Sequence, residues 1–177
     1  MYFMPRSAKS NDIFFVTLTI VGWIDIFTRN DYRQLIIDNL NYCRKHKALR
    51  VFHYVIMPNH IHLLVTADEK PLSDILRDFK TYTSKQLFEY ISQNTQESRR
   101  DWMTELFKKA GRGNPVNKNF QVWQNGNYPV LLYSKEMIEQ KINYIIQNPV
   151  RAGFVAEPEH YVFSSASPHS PLVCDEF

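Results

Sequence analysis

Two apolar, β-branched runs, residues 49–57 and 60–67, are separated only by Pro58-Asn59, a pair suited to a tight turn. Runs this short and this closely joined are expected to pair as an antiparallel hairpin. The stretch Met57-Pro58-Asn59-His60-Ile61-His62-Leu63-Leu64-Val65 sets two histidines two residues apart at the start of the second run. Side chains alternate along a strand, so His60 and His62 share one face while Ile61 and Leu63 share the other. Their Cβ atoms then lie roughly 6–7 Å apart, close enough for both imidazoles to reach one metal ion. The same spacing also suits two polar residues on a half-buried strand, hydrogen-bonded or solvated. Spacing alone leaves both readings open.

The rest of the chain supplies partners for that hairpin. Between Ile13 and Val21 the even positions Phe14, Val16, Leu18 and Ile20 are apolar and the odd ones include Thr17 and Thr19, the pattern of a strand with one buried face. Asn30 or Asp31 is placed to cap a helix reaching about Lys47, with Tyr32, Leu35, Ile36, Leu40 and Cys43 at helical spacing. Pro71 opens another helix to about Ile91. Residues 92–119 are polar and contain Gly111, Gly113 and Pro115, which reads as a partly ordered insertion. Short strands are expected at 120–123 and 128–132. Ser134 then caps a helix ending at Asn148-Pro149, where a second short helix begins with Asn148 as its cap. The order strand, helix, strand, strand, helix, strand, helix is that of an α+β, ferredoxin-like antiparallel sheet with helices packed on it.

A length of 177 residues suits one domain. We divide it into an arm at 1–12, the insertion at 92–119 and a tail at 167–177. No apolar run approaches the ~20 residues needed to span a bilayer and no signal segment opens the chain, so a cytoplasmic protein without a membrane partner is expected. Cys43 and Cys174, the two cysteines, are far apart and argue against a disulfide or a cysteine-based zinc site. A net charge of +3 is too mild to establish nucleic-acid binding. Residues 77–118, however, carry nine Lys/Arg against five acids, interleaved with Phe79, Tyr82, Phe88, Tyr90 and Trp102. That mixture suits phosphate contact and base stacking, or a solvated helix face followed by a loop.

On the helix after Ser134, Ile138, Ile142, Ile145 and Ile146 form the core stripe. Tyr144 lies off the centre of that stripe, with Met137, Lys141 and Asn148 on its side, and Asn148 is one turn further along. A phenol beside an amide and a lysine can serve as nucleophile, ligand and charge partner. Equally, the three are a boundary residue, a cap and a solvated charge.

Together these pieces resemble the single-tyrosine HUH transposases of the IS200-like type, in particular the REP-associated tyrosine transposase branch. Three blocks carry the resemblance: Tyr54-Val55-Ile56-Met57-Pro58-Asn59-His60-Ile61-His62-Leu63-Leu64; Leu72-Ser73-Asp74-Ile75 through Phe79-Lys80-Thr81-Tyr82-Thr83-Ser84; and Lys141-Ile142-Asn143-Tyr144-Ile145-Ile146-Gln147-Asn148-Pro149-Val150-Arg151-Ala152-Gly153-Phe154-Val155, followed by Tyr161-Val162-Phe163-Ser164-Ser165-Ala166. The resemblance implies that His60, His62 and Asn148 hold a divalent metal, Mg²⁺ or Mn²⁺, and that Tyr144 is the nucleophile. It implies a single-stranded or hairpin DNA partner, a palindromic repeat cut and rejoined through a 5′-phosphotyrosine link, in a monomer or a homodimer. Lys80, Lys85, Arg99, Arg100 and Lys141 are the expected DNA contacts. Two departures stand out: Ile146 occupies a position where many relatives carry histidine, and the insertion at 92–119 is longer than in compact relatives. A metal phosphodiesterase using water, and a hairpin-binding module that does not cut, use the same residues.

Overall fold

The structure, a computed structural model, describes residues 12–112, 119–126 and 129–177. The expected arm, apart from Asp12, lies outside the described residues, as do Lys118 with the rest of 113–118, and Tyr128. Four strands, β1 (Ile13–Thr19), β2 (Leu49–Ile56), β3 (His60–Ala67) and β4 (Val130–Leu132), form one antiparallel sheet in the order β2-β3-β1-β4. Helices α1 (Asn30–Lys47), α2 (Leu72–Gln93), α3 (Arg100–Arg112) and α4 (Lys135–Arg151) complete the ferredoxin-like arrangement.

The sheet is buried on both sides, by different kinds of residue. Phe14, Val16 and Leu18 of β1 and Ile61, Leu63 and Val65 of β3 point into a large core with α1, α2 and α3. The opposite face carries Phe15, Val55 and Leu64 into a smaller core beneath Ile145 of α4. A bulge between Val51 and His53 keeps the two sets apart on β2. It lets Val51 and Tyr54 face the large core while Phe52 and Val55 face the small one.

Several elements depart from the sequence reading. The supposed insertion contains α3, whose Met103 and Phe107 are fully buried against the large core. Apolar positions 103, 106, 107 and 110 follow helical spacing, but the charges between them mask the stripe. The helix after Ser134 does not break at Pro149; α4 runs on to Arg151. Proline in a last turn forfeits one amide donor, and the Pro149 ring is buried in return. Ser134 does cap, accepting from the Met137 amide at 3.3 Å. Arg29, not Asn30 or Asp31, occupies the cap position of α1. Residues 120–123 contribute a single bridge, Ile20 to Trp123, rather than a strand. Ile146 is half-buried and outside the core stripe, which Ile138, Ile142 and Ile145 supply.

The C-terminal segment is docked, not a loose tail. It covers the outer edge of β2: the Ile56 amide donates to the Phe163 carbonyl (2.9 Å), Ser165 N to Tyr54 O (2.9 Å) and Asp175 N to Val51 O (2.8 Å). An uncovered strand edge invites pairing with another chain, and this segment removes the opportunity. The Asp175 carboxylate receives two bonds from Arg44 (2.8 and 2.9 Å) and one from the Val51 amide (2.8 Å). Burial by itself would raise this carboxyl, but these donors outweigh it and hold the group below the usual carboxylate range. A carboxylate lowered in the folded state adds stability above its unfolded pKa, and the gain disappears as pH falls through the folded value. Asp175→Asn should therefore cost about 1–2 kcal/mol at pH 7. Urea titrations should show wild type and variant converging as pH falls below the usual carboxylate range; a gap that persists once the carboxyl is protonated would contradict this role.

Candidate active site

The β1–β3 register sets Thr17 directly across from His62 and Thr19 across from His60. All four side chains belong to the α4 face of the sheet, by the same alternation that sends Val16 and Ile61 to the large core. The two imidazoles lie edge to face, ring centres 4.7 Å apart. His60 Nδ1 meets Asn59 Oδ1 at 2.6 Å, and His62 Nδ1 meets Thr17 Oγ1 at 2.9 Å. An amide oxygen only accepts, so His60 Nδ1 carries the proton and its Nε2 keeps a lone pair. His62 Nε2 is buried without a hydrogen-bond partner among the described residues. Nδ1 atoms held by a neighbouring side chain are what orients an imidazole as a metal ligand through Nε2.

Both rings are kept neutral. Burial lowers the His60 pKa, and burial, reinforced by the neighbouring His60 ring and the Lys141 charge, pushes His62 down to about 3. Phe15 stacks on His62 with ring centres 5.1 Å apart. Among the described residues no third His, Cys, Asp or Glu joins the pair. The donor set fits a divalent ion that accepts imidazole and leaves positions for oxygen ligands, a preference stronger in Mn²⁺ than in Mg²⁺.

Helix α4 lies over this face, and Tyr144 is half-buried there. Its ring sits edge-on to His62 at 5.1 Å and to Phe15 at 5.8 Å. Lys141 Nζ stands 4.6 Å from the Phe15 ring centre and 5.5 Å from that of Tyr144. Arg151, two turns along, puts its guanidinium carbon 5.7 Å from the Tyr144 ring centre. Asn148 follows Tyr144 by one turn and is half-buried, and no described contact joins its amide to a histidine. Beside Thr17 opens a cavity of about 210 Å³, bounded by Phe15, Thr17, Thr19, Gln124 and Val130.

The other expected DNA contacts sit elsewhere. Lys80 is largely buried on α2 and donates to the carbonyls of Gln124 (2.7 Å) and Gly126 (3.3 Å); burial pushes its pKa down to about 8. It anchors a loop. Arg99 pairs with Asp25 (2.5 Å) and Glu97 (3.4 Å), and Arg100 with Asp101 (2.9 Å). Lys85 is exposed on α2, behind the sheet. Phe79 is core, and Phe88 stacks on Phe120 with ring centres 4.1 Å apart, so much of the basic, aromatic segment is structural. Of the five, Lys141 alone is placed against Tyr144. Sequence reasoning missed Thr17, Asn59 and Arg151. Thr17 had one available signal, a polar position alternating with an apolar stripe on a central strand.

The sequence model of the family described as transposase, IS200-like, matches residues 24–117, just over half of the chain. The chain belongs to the IS200-like transposase family. Membership implies DNA strand cleavage and transfer as this transposase's general activity. The matched span contains His60 and His62 but stops short of Tyr144. No curated protein matches the transposase. Among solved structures its fold is similar to that of a REP-associated tyrosine transposase bound to a REP hairpin, with a TM-score of 0.65 and 17% identity over 93% of this chain and 82% of that one. A putative transposase from Deinococcus radiodurans R1 aligns with a TM-score of 0.43 and 14% identity, over 84% of this chain and 97% of that one. Among the described residues no helix is long and apolar enough to cross a membrane.

The neutral state of His62 is directly measurable. The unfolded chain takes up this proton near pH 6.5 and the folded chain only near 3, so the contribution to stability is present above about 6.5 and is lost as pH falls between those values. Nitrogen-15 spectra at pH 5 should show His62 uncharged. A ring half-protonated near 6.5 would contradict the buried placement.

Proposed function

We propose that this transposase cuts and rejoins single-stranded DNA at hairpin-forming palindromic repeats, with Tyr144 as nucleophile and His60, His62 and Asn148 as ligands of a divalent ion. The observation that carries the reading is the placement of Tyr144. A phenol from one end of the chain is packed edge-on against a histidine whose free ring nitrogen has no partner. The hairpin and repeat specificity rests on the likeness in fold to the REP-associated tyrosine transposase and on the sequence blocks shared with that branch.

A phenol ionises near pH 10 and is a weak nucleophile at neutral pH, so the attacked phosphate needs its charge balanced. When bound, Mn²⁺ or Mg²⁺ supplies that balance as a Lewis acid toward a non-bridging phosphate oxygen. Lys141 and Arg151 flank the Tyr144 ring and add positive charge on the same side. Tyr144 Oη forms a bond to phosphorus as the bond from phosphorus to the 3′ oxygen breaks. The phenol proton passes to that oxygen, which leaves as a 3′-hydroxyl. The product is a 5′-phosphotyrosine. Attack of a 3′-hydroxyl on the same phosphorus reverses the step with no external energy source, because the phosphodiester energy is kept in the covalent link. Lys141 alone of the expected cationic contacts stands beside Tyr144, and we place the scissile phosphate there.

The test uses hairpin oligonucleotides labelled at the 3′ end, with randomised single-stranded flanks, incubated with Mn²⁺ and resolved on a denaturing gel. The labelled strand is expected to migrate as a protein adduct, and Tyr144→Phe should abolish it. Cleavage that survives in Tyr144→Phe would replace the transfer mechanism with hydrolysis by water. Binding without cleavage in the wild type would make the chain a hairpin-binding module.

A further inference from the structure

An exposed indole stands beside the histidine pair and takes no part in the chemistry described above. Trp23 is 61% exposed, and its ring centre lies 6.4 Å from that of His60, the two rings nearly perpendicular. Its backbone is left-handed, with φ of +55°, directly after Gly22 at +64°. Glycine adopts that geometry freely; a residue with a large side chain avoids it. The conformation is held from both sides. The Trp23 amide donates to Ile20 O at 3.1 Å, and Asn59 Nδ2 donates to Trp23 O at 3.3 Å. Asn59 is the same amide whose oxygen orients His60. One side chain therefore fixes both the imidazole and the indole beside it.

Neither ordinary reason for a tryptophan applies here. A core role would bury the ring, as Trp123 is buried at 2% exposure. A turn role would select glycine or asparagine at this φ. Strained positions that persist because their surroundings hold them are found where a ligand must be met. Other large apolar side chains are exposed, including Trp102, Tyr133 and Phe154, but Trp23 is the exposed aromatic in ring contact with a histidine of the site.

We infer that Trp23 is a stacking platform for an unpaired DNA base next to the phosphate attacked by Tyr144. The inference rests on the cleavage reading and deepens it by naming what grips the strand. An indole face accepts any base, so Trp23 contributes affinity and position with little sequence preference. It requires an open base face, which excludes a fully paired duplex at this point.

The probe is the same hairpin pool with randomised flanks, fluorescein-labelled, in buffer without divalent metal, so that binding is read without cutting. Trp23→Gly removes the indole and suits the left-handed backbone. It should leave the melting temperature unchanged or raised and weaken binding about 5- to 160-fold, the range for losing one base stack. Trp23→Phe should retain most of the affinity. With unlabelled oligonucleotide and a Trp102→Phe background, where buried Trp123 is the one other indole, binding should quench the part of the emission that Trp23→Gly removes. Unchanged affinity in Trp23→Gly, or a large fall in its melting temperature, would overturn the stacking role while wild-type adduct formation left the cleavage reading standing. A wild type that neither binds the pool nor forms the adduct would overturn both.

Discussion

In the central pair of strands, Phe14, Val16 and Leu18 share one side with Ile61, Leu63 and Val65, and Thr17 meets His62 on the other. A slip of one residue on either strand would turn its apolar side chains away from the large core and bring in Thr17 and Thr19, or His60 and His62, in their place. Each such side chain is worth about 1.5–3 kcal/mol when buried, whereas the Thr17–His62 hydrogen bond contributes about 1 kcal/mol. The apolar side therefore sets the register, and the polar side inherits it. The histidine geometry is a by-product of packing on the far face of the sheet. This makes it rigid without requiring the site to stabilise itself.

The α4 face bears the costs that the large core absorbs. His62 is buried with an orphaned ring nitrogen, a state that costs about 1–3 kcal/mol in a folded chain. Trp23 adds a left-handed backbone of about 1–2 kcal/mol. Both lie within one turn and one strand of Asn59. Helix α4 closes over that face through Ile145, with Ile138 and Ile142 beside it, and this packing secures the element bearing Tyr144 and Asn148. The α1, α2 and α3 layer holds the other side of the sheet, and α4 covers the histidine face together with Tyr161 from the segment that follows it.

Most of the architecture was legible because strands and helices with one buried face announce their period. The hairpin, β1, α1, α2 and the cap of α4 all follow from spacing in the sequence. Helix α3 was hidden because it buries a narrow stripe, Met103 and Phe107 at its centre, among seven charged or polar residues. The proline break in α4 was a local rule overridden by tertiary packing. Within the site, the shared face of His60 and His62 could be read from alternation, and the position of Tyr144 off the core stripe from helical spacing. The pairing of Thr17 with His62 could not, since strand register joins residues 45 apart in sequence. For Lys80 and Arg99, a count of basic residues could not show that carbonyls and carboxylates of the fold already engage them.

The claim on which the account turns is that His60 and His62 present their free Nε2 atoms to one shared point facing Tyr144. Anomalous diffraction from a crystal soaked in Mn²⁺ measures this directly. The account predicts one strong peak within bonding distance of Nε2 of both histidines, on the α4 side of the sheet. A peak bound to Nδ1 instead, or no peak at the pair while manganese occupies other sites, would contradict it.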